Sequence, residues 1–154
     1  HHGKTALMGD AAHATVPFYG QGMNAGFEDC TVMWEAMQNH GDDWSAALEE
    51  YQILRKPDGD GVQDLSLHNY YVMRDYVADP KFLLQKKIEK RFSEKYPDKW
   101  MPLYSQVTFS SIRYSDAWKQ GMHQEEIMKK VMETPNIEAN WDSEEVEKKI
   151  LEFI

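Results

Sequence analysis

The chain has 154 residues, 42% of them apolar and 12% aromatic, which is enough to bury a core and too apolar for a disordered segment. A formal net charge of −9 with no basic stripe speaks against a nucleic-acid partner. No apolar run reaches the ~18 residues of a membrane span, no signal peptide is visible, and one cysteine, Cys30, cannot form a disulfide within the chain.

The chain opens at His1-His2-Gly3-Lys4 without an initiator Met, which reads as a cut end or a tag remnant. Thr5 to Gly9 is a short apolar run ending in Gly-Asp, and predicts a buried strand feeding a loop. Residues 10 to 23, broken by Pro17, Gly20 and Gly22, read as loop. A helix follows from near Asn24, with Phe27, Cys30, Met33, Trp34 and Met37 at helical spacing and Gly41 as its stop. On that stripe Cys30 reads as a buried small hydrophobe rather than a reactive thiol.

A second helix is expected after Asp42 or Asp43, striped by Trp44, Ala47, Leu48, Tyr51 and Leu54. Pro57-Asp58-Gly59-Asp60-Gly61 reads as a turn or kink, and a third helix carries Val62, Leu65, Asn69, Val72, Met73 and Tyr76 on one face. Asp79-Pro80 predicts the cap of a fourth helix, lined by Leu84, Ile88 and Phe92. The Lys81 to Lys95 cluster, interleaved with Glu89 and Glu94, is its solvated face. Residues 96 to 102 read as loop, and 103 to 112, with Val107, Thr108 and Phe109, as extended. A fifth helix from about Ser115 to Glu133 ends before Pro135, and Asp142 with Glu145 suggests a capped last helix. The expected fold is mainly α, one strand followed by five or six helices. A lone buried strand needs a sheet to pair its backbone, so this one either joins another segment or is frayed.

The chemistry is concentrated in Gly9-Asp10-Ala11-Ala12-His13, then Pro17, then Gly20-Gln21-Gly22-Met23-Asn24. Gly9 lets backbone approach a ligand closely. Asp10 can accept from a ribose or ribitol hydroxyl. The glycine-rich loop then leads into a helix N-terminus, with unpaired donors and about half a positive charge, suited to the anionic edge of a reduced flavin. As isolated glycines these residues would equally serve a tight turn. His13 has no visible acid or base partner. No metal-ligand spacing and no nucleophile–base pair can be read.

As one string, these residues resemble the second FAD motif of the class A flavoprotein hydroxylases, enzymes of the p-hydroxybenzoate hydroxylase fold. The extended form from Val16 to Cys30 resembles in particular the kynurenine 3-monooxygenases of that group. Asp64 to Tyr70 with Met73-Arg74, and Met101 to Tyr104 with Val107 to Ser110 and Ile112 to Tyr114, keep the same order, so the likeness covers about residues 4 to 118. The resemblance implies an α/β FAD-binding fold of which this is the C-terminal part, with residues 1–40 ending the FAD-binding domain and 41–154 a helical substrate-covering region. It implies FAD reduced by NADPH, and hydroxylation of L-kynurenine by O2. Asp10, Pro17, Gly20, Gln21, Gly22, Met23 and Asn24 would touch FAD, and Phe18 and Tyr19 would wall the aromatic pocket. Asn69 taken alone is as well read as a core amide bonded to a neighbouring loop. The resemblance makes it, with Tyr104, a contact to the amino-acid end of the substrate, and gives Met73 a secondary lining role.

No residue here is expected to act as an acid–base catalyst. The Gly-x-Gly-x-x-Gly fingerprint is absent, so the N-terminal FAD-binding part of the polypeptide is the expected partner, and the segment alone is expected to be inactive. Tyr19 stands where the family often has Phe, which leaves the choice of substrate open. The lack of a hydrophobic tail points to a cytoplasmic, bacterial-type protein. Two other readings remain: a flavin hydroxylase for a different aromatic amine or phenol, and a non-enzymatic helical binding module derived from one.

Overall fold

The computed structural model describes residues 1–154. Eight α-helices and one π-helical turn follow in order: α1 Asp10–His13, α2 Gly22–His40, α3 Trp44–Tyr71, the π turn Val72–Tyr76, α4 Pro80–Lys95, α5 Leu103–Phe109, α6 Tyr114–Met132, α7 Ile137–Asn140 and α8 Glu144–Phe153. They form two compact units, His1–Tyr70 with Ile112–Trp118 and Tyr71–Ser111 with Lys119–Ile154.

The expected strand does not form. His2 and Thr5 make an isolated antiparallel bridge, and residues 6–8 have no regular structure. No second segment of the chain runs alongside to pair them, and the Leu7 side chain stays 60% exposed. Asp10–His13, expected as loop, is one helical turn, because the Gly9 carbonyl accepts from the Ala12 and His13 N–H groups.

In the first unit α2 and α3 form a hairpin. Gly41 closes α2 with φ +58° and its N–H on the Met37 carbonyl. Ala36, Ala47 and Tyr51 are buried between the helices, flanked by Met8, Val32, Met33 and Met37. The Tyr51 hydroxyl donates to the Leu7 carbonyl at 3.2 Å. The predicted stripe of α2 is therefore split. Met33 and Met37 pack inward, while Phe27 and Trp34 are more than half exposed. Cys30 is exposed as well, against the expectation of a buried thiol, because Ala25, Asp29 and Ala36 are the α2 residues that face α3.

The sharpest departure is at Pro57 to Gly61, where the expected turn is absent and α3 runs through. Pro costs about 3 kcal/mol and each Gly about 1 kcal/mol in a helix interior, so tertiary contacts must offset them. Asp58 accepts from Arg113 Nε at 2.9 Å and from Ser115 Oγ at 2.7 Å, and Arg113 Nη2 donates to the Leu54 carbonyl at 2.6 Å. Gly59 and Gly61 have negative φ and serve close packing, against His13 and Ser115 respectively.

The second unit is built on Ile88, Phe92, Trp100, Ile127, Met128, Val131, Ile137, Val146 and Ile150. Asp79 caps α4 as predicted, accepting from Lys81 N–H at 2.7 Å with Pro80 at the first helical position. Residues 103–109, expected to be extended, are helical. Pro102 offers its carbonyl to the Ser105 and Gln106 N–H groups, and buried Gln106 donates to the Met101 carbonyl at 2.7 Å. Ser143 caps α8 in place of Asp142, accepting from Val146 N–H. Glu147 of α8 takes Arg91 and Lys95 of α4, and Lys87 Nζ lies 3.8 Å from the Trp141 ring centre.

Candidate functional site

Gly9 has φ +56° and ψ −141°, backbone that other residues resist, and it sets Asp10 as the first residue of α1. The start of α2 lies against that turn. A Cβ built on Gly22 would stand 3.1 Å from Thr15 Oγ1 and 3.9 Å from Asp10 Oδ1, and one on Gly26 would stand 3.7 Å from Gly9 Cα. The Asp10 carboxylate thus sits beside the N-terminus of a 19-residue helix. That N-terminus has no side-chain cap and no acidic residue in its first turn, so its N–H groups and partial positive charge remain available.

Between them runs the loop. Its Phe18 N–H donates to the Val16 carbonyl at 2.9 Å, which tightens the chain at Pro17, and Gly20 has φ +67°. Phe18 is held on both sides. Its carbonyl accepts from Asn69 Nδ2 at 2.9 Å, and its ring lies 5.0 Å from that of Tyr70. Gln21 is buried, its side-chain oxygen accepting from Asn24 Nδ2 at 2.8 Å and from the Tyr114 hydroxyl at 3.2 Å. Burial, and next the charge of Glu28, pushes the Tyr114 hydroxyl up to about 12, so it remains a donor. Tyr19 is half-buried and Met23 exposed.

Asp10 and Gly22 thus meet at the turn, Gln21 and Asn24 bond each other, and Phe18 meets Asn69. The bond from Asn69 is the loop contact that its sequence position left open. Met73 and Tyr104 belong to the second unit. Met73 is exposed in the π turn, whose extra residue per turn breaks the face expected to run from Val62 to Tyr76. Tyr104 lies on α5, its ring 6.0 Å from Phe109 and edge-on to it.

Residues 1–66 match the family of FAD binding domains. Over 151 residues the chain is 57% identical to kynurenine 3-monooxygenase of Christiangramia forsetii and 54% identical to that of Flavobacterium psychrophilum, covering 98% of this chain and 34% of each relative. Against the enzyme of Sus scrofa it is 48% identical over 122 residues, 79% of this chain and 26% of the relative. The chain is similar to the kynurenine 3-monooxygenases. It spans about a third of the length of the curated relatives it matches most fully.

In this kynurenine 3-monooxygenase-like segment the sequence reading missed one cluster. Asp29 of α2 is fully buried and accepts three charge-assisted or backbone bonds. Oδ2 takes the Gly9 N–H at 2.7 Å and His13 Nε2 at 2.6 Å, and Oδ1 takes Arg55 Nε at 2.7 Å. Arg55 continues to the Ala25 carbonyl, Glu28 and Asp58. Burial acts to raise the Asp29 carboxyl, but Gly9, Arg55 and His13 together hold it below the usual carboxylate range. Burial likewise works against the Arg55 charge, and the bond to Asp29 with the charges of Asp29, Glu28 and Asp58 together more than restores it. The partners are 16 and 26 residues from Asp29, and no local spacing announces them.

A cavity of about 390 Å³ borders His13, Tyr51 and Arg55, but none of the residues assigned to FAD lines it. No group of His, Cys, Asp and Glu side chains could hold a metal ion, and no helix is long and apolar enough to cross a membrane.

Proposed function

We propose that this chain is the flavin-loop and substrate-covering part of an FAD-dependent monooxygenase that converts L-kynurenine to 3-hydroxykynurenine with NADPH and O2. The observation that carries it is the meeting of Asp10 with the uncapped start of α2 at Gly22. The residues fit the cofactor there: a Cβ at Gly22 would narrow the cradle, and the helix end offers donors with no side-chain cap and no acidic residue in its own first turn.

In this reading Asp10 accepts from a ribityl or ribose hydroxyl. The N–H groups from Gly22 to Asn24 face the anionic edge of the ring system, with Pro17, Gly20 and the buried Gln21 shaping the loop. Bound FAD, reduced by NADPH, supplies the activated oxygen for ring hydroxylation. The chain's own work is positioning and exclusion of water. Phe18 and Tyr19 wall the aromatic ring, Asn69 and Tyr104 take the amino-acid end, and Met73 lines the pocket. Residues 1–40 then complete the FAD-binding domain, residues 41–154 form the covering region, and the host protein is cytoplasmic and bacterial.

The test uses the complete polypeptide. It should purify with FAD and oxidise NADPH with L-kynurenine, yielding 3-hydroxykynurenine, and Asp10→Ala should lower FAD affinity about ten- to a hundredfold. A panel of other aromatic amines and phenols should turn over more slowly. Faster turnover of one of them would reassign the substrate, and unchanged FAD affinity in Asp10→Ala would refute the placement of the loop.

A further inference from the structure

We infer that Asp29 and His13 form a positioning pair that sets the geometry of the FAD-binding turn. The inference rests on the proposed FAD reading and deepens it.

One carboxylate oxygen, Asp29 Oδ2, holds the turn at both ends. It takes the Gly9 N–H just before α1 and His13 Nε2 at the end of α1, and Asp10 lies between. The other oxygen is fixed by Arg55 of α3. Because a carboxylate only accepts, His13 must donate through Nε2, and its buried Nδ1 has no partner. His13 packs against Gly59 of α3. It is 4% exposed, and its Cβ and Cδ2 lie 3.4 Å from where a Cβ on Gly59 would stand.

Four residues wound around a glycine at φ +56° form too short a helix to hold themselves. Asp29 replaces the missing cooperativity with two bonds to one atom. Neither Asp29 nor His13 is among the residues assigned to FAD, so their influence passes through the orientation of Asp10.

The experiment compares His13→Leu, His13→Gln and Asp29→Asn in the complete polypeptide, with Asp10→Ala as reference. FAD titration of the apoprotein, melting temperature and steady-state kinetics at saturating FAD are recorded for each. Gln can place an amide N–H where His13 Nε2 stands, and Leu cannot. The expected result is FAD affinity about tenfold weaker in His13→Leu and at least as weak in Asp29→Asn, with near wild-type affinity restored in His13→Gln. The KM for the aromatic substrate should stay unchanged once FAD is saturating. If Asp29→Asn does not fold, the two His13 variants decide alone.

Wild-type FAD affinity in His13→Leu, with a lowered melting temperature and with Asp10→Ala still impaired, would overturn the positioning role and leave the FAD reading standing. Equal losses in His13→Leu and His13→Gln would also overturn it, since side-chain shape rather than the bond would then matter. Undisturbed FAD binding in Asp10→Ala would remove the FAD reading, and this inference with it.

Discussion

Gly61 and Ser115 meet with no space for a side chain: a Cβ on Gly61 would stand 2.8 Å from the Ser115 nitrogen and 2.9 Å from its Cα. The obstacle is backbone at the start of α6, fixed there by Ser115 N and Oγ on Asp58. Gly61→Ala in the complete polypeptide should therefore destabilise by about 1–3 kcal/mol, despite the better helix propensity of Ala. Gly26→Ala is the control. Its Cβ would meet Gly9 Cα at an ordinary 3.7 Å, and Ala should be neutral or stabilising by up to about 1 kcal/mol. Denaturant unfolding of both variants checks the contrast.

That contact also explains where the sequence was and was not legible. Signals that act within one turn read correctly: Gly41 ended α2, Asp79-Pro80 began α4, and Pro135 followed the end of α6. Asp10 and Gly22, singled out by the sequence, do lie together, because the contact is local, between the turn and the start of α2. Pro57 to Gly61 carries every local mark of a turn, yet Arg113 and Ser115, more than fifty residues on, hold it helical. Val107 to Phe109 favour a strand by β-branching and aromaticity, but the Pro102 carbonyl takes the Ser105 and Gln106 N–H groups and starts a helix that carries them along. Asp29 carries no local mark of its role, because its partner Arg55 lies 26 residues away.

The Asp29 carboxyl is depressed in the folded chain, so the folded state holds it charged where the unfolded chain has begun to take up its proton. Its stabilisation is complete above the unfolded value of about 4 and is lost as pH falls through the depressed folded value. Melting temperature in the complete polypeptide should therefore fall more steeply below about pH 4 in wild type than in Asp29→Asn. At pH 7 that variant should be less stable by about 3 kcal/mol or more, since Arg55 is left buried without its closest partner. Glu147, held low by Lys95 despite its burial, titrates in the same direction, so some acid sensitivity should survive the substitution. Parallel curves for the two proteins would contradict the assignment.

The 154-residue chain alone should be colourless after purification and should not turn over NADPH. In the proposed function it supplies the Asp10 turn and the α2 start, but no Gly-x-Gly-x-x-Gly loop for the pyrophosphate. Flavin bound at one equivalent, with the absorbance of a flavoprotein and no second chain present, would show that these two elements suffice.

Asn69 gives the most discriminating test, because two roles meet in one side chain. Its Nδ2 already donates to the Phe18 carbonyl, so it ties α3 to the loop between α1 and α2, and in the proposed function it also faces the amino-acid end of L-kynurenine. Asn69→Asp separates the roles. An aspartate has nearly the same shape, but when ionised it cannot donate to Phe18 and would repel a substrate carboxylate. If Asn69 serves only the loop, Asn69→Ala and Asn69→Asp should lower thermal stability together, and kcat/KM should change alike for L-kynurenine and for an analogue lacking the carboxylate. If it also meets the substrate, kcat/KM for L-kynurenine should fall about ten- to a hundredfold in Asn69→Asp, and the analogue should be spared most of that loss. Tyr104→Phe should show the same selectivity with little change in stability, since its half-exposed ring keeps its packing on Phe109. Poorly oriented substrate should also divert NADPH oxidation into hydrogen peroxide in both substrate-contact variants. Peroxide yield at wild-type level, with equal losses on both substrates, would place Asn69 in the loop alone.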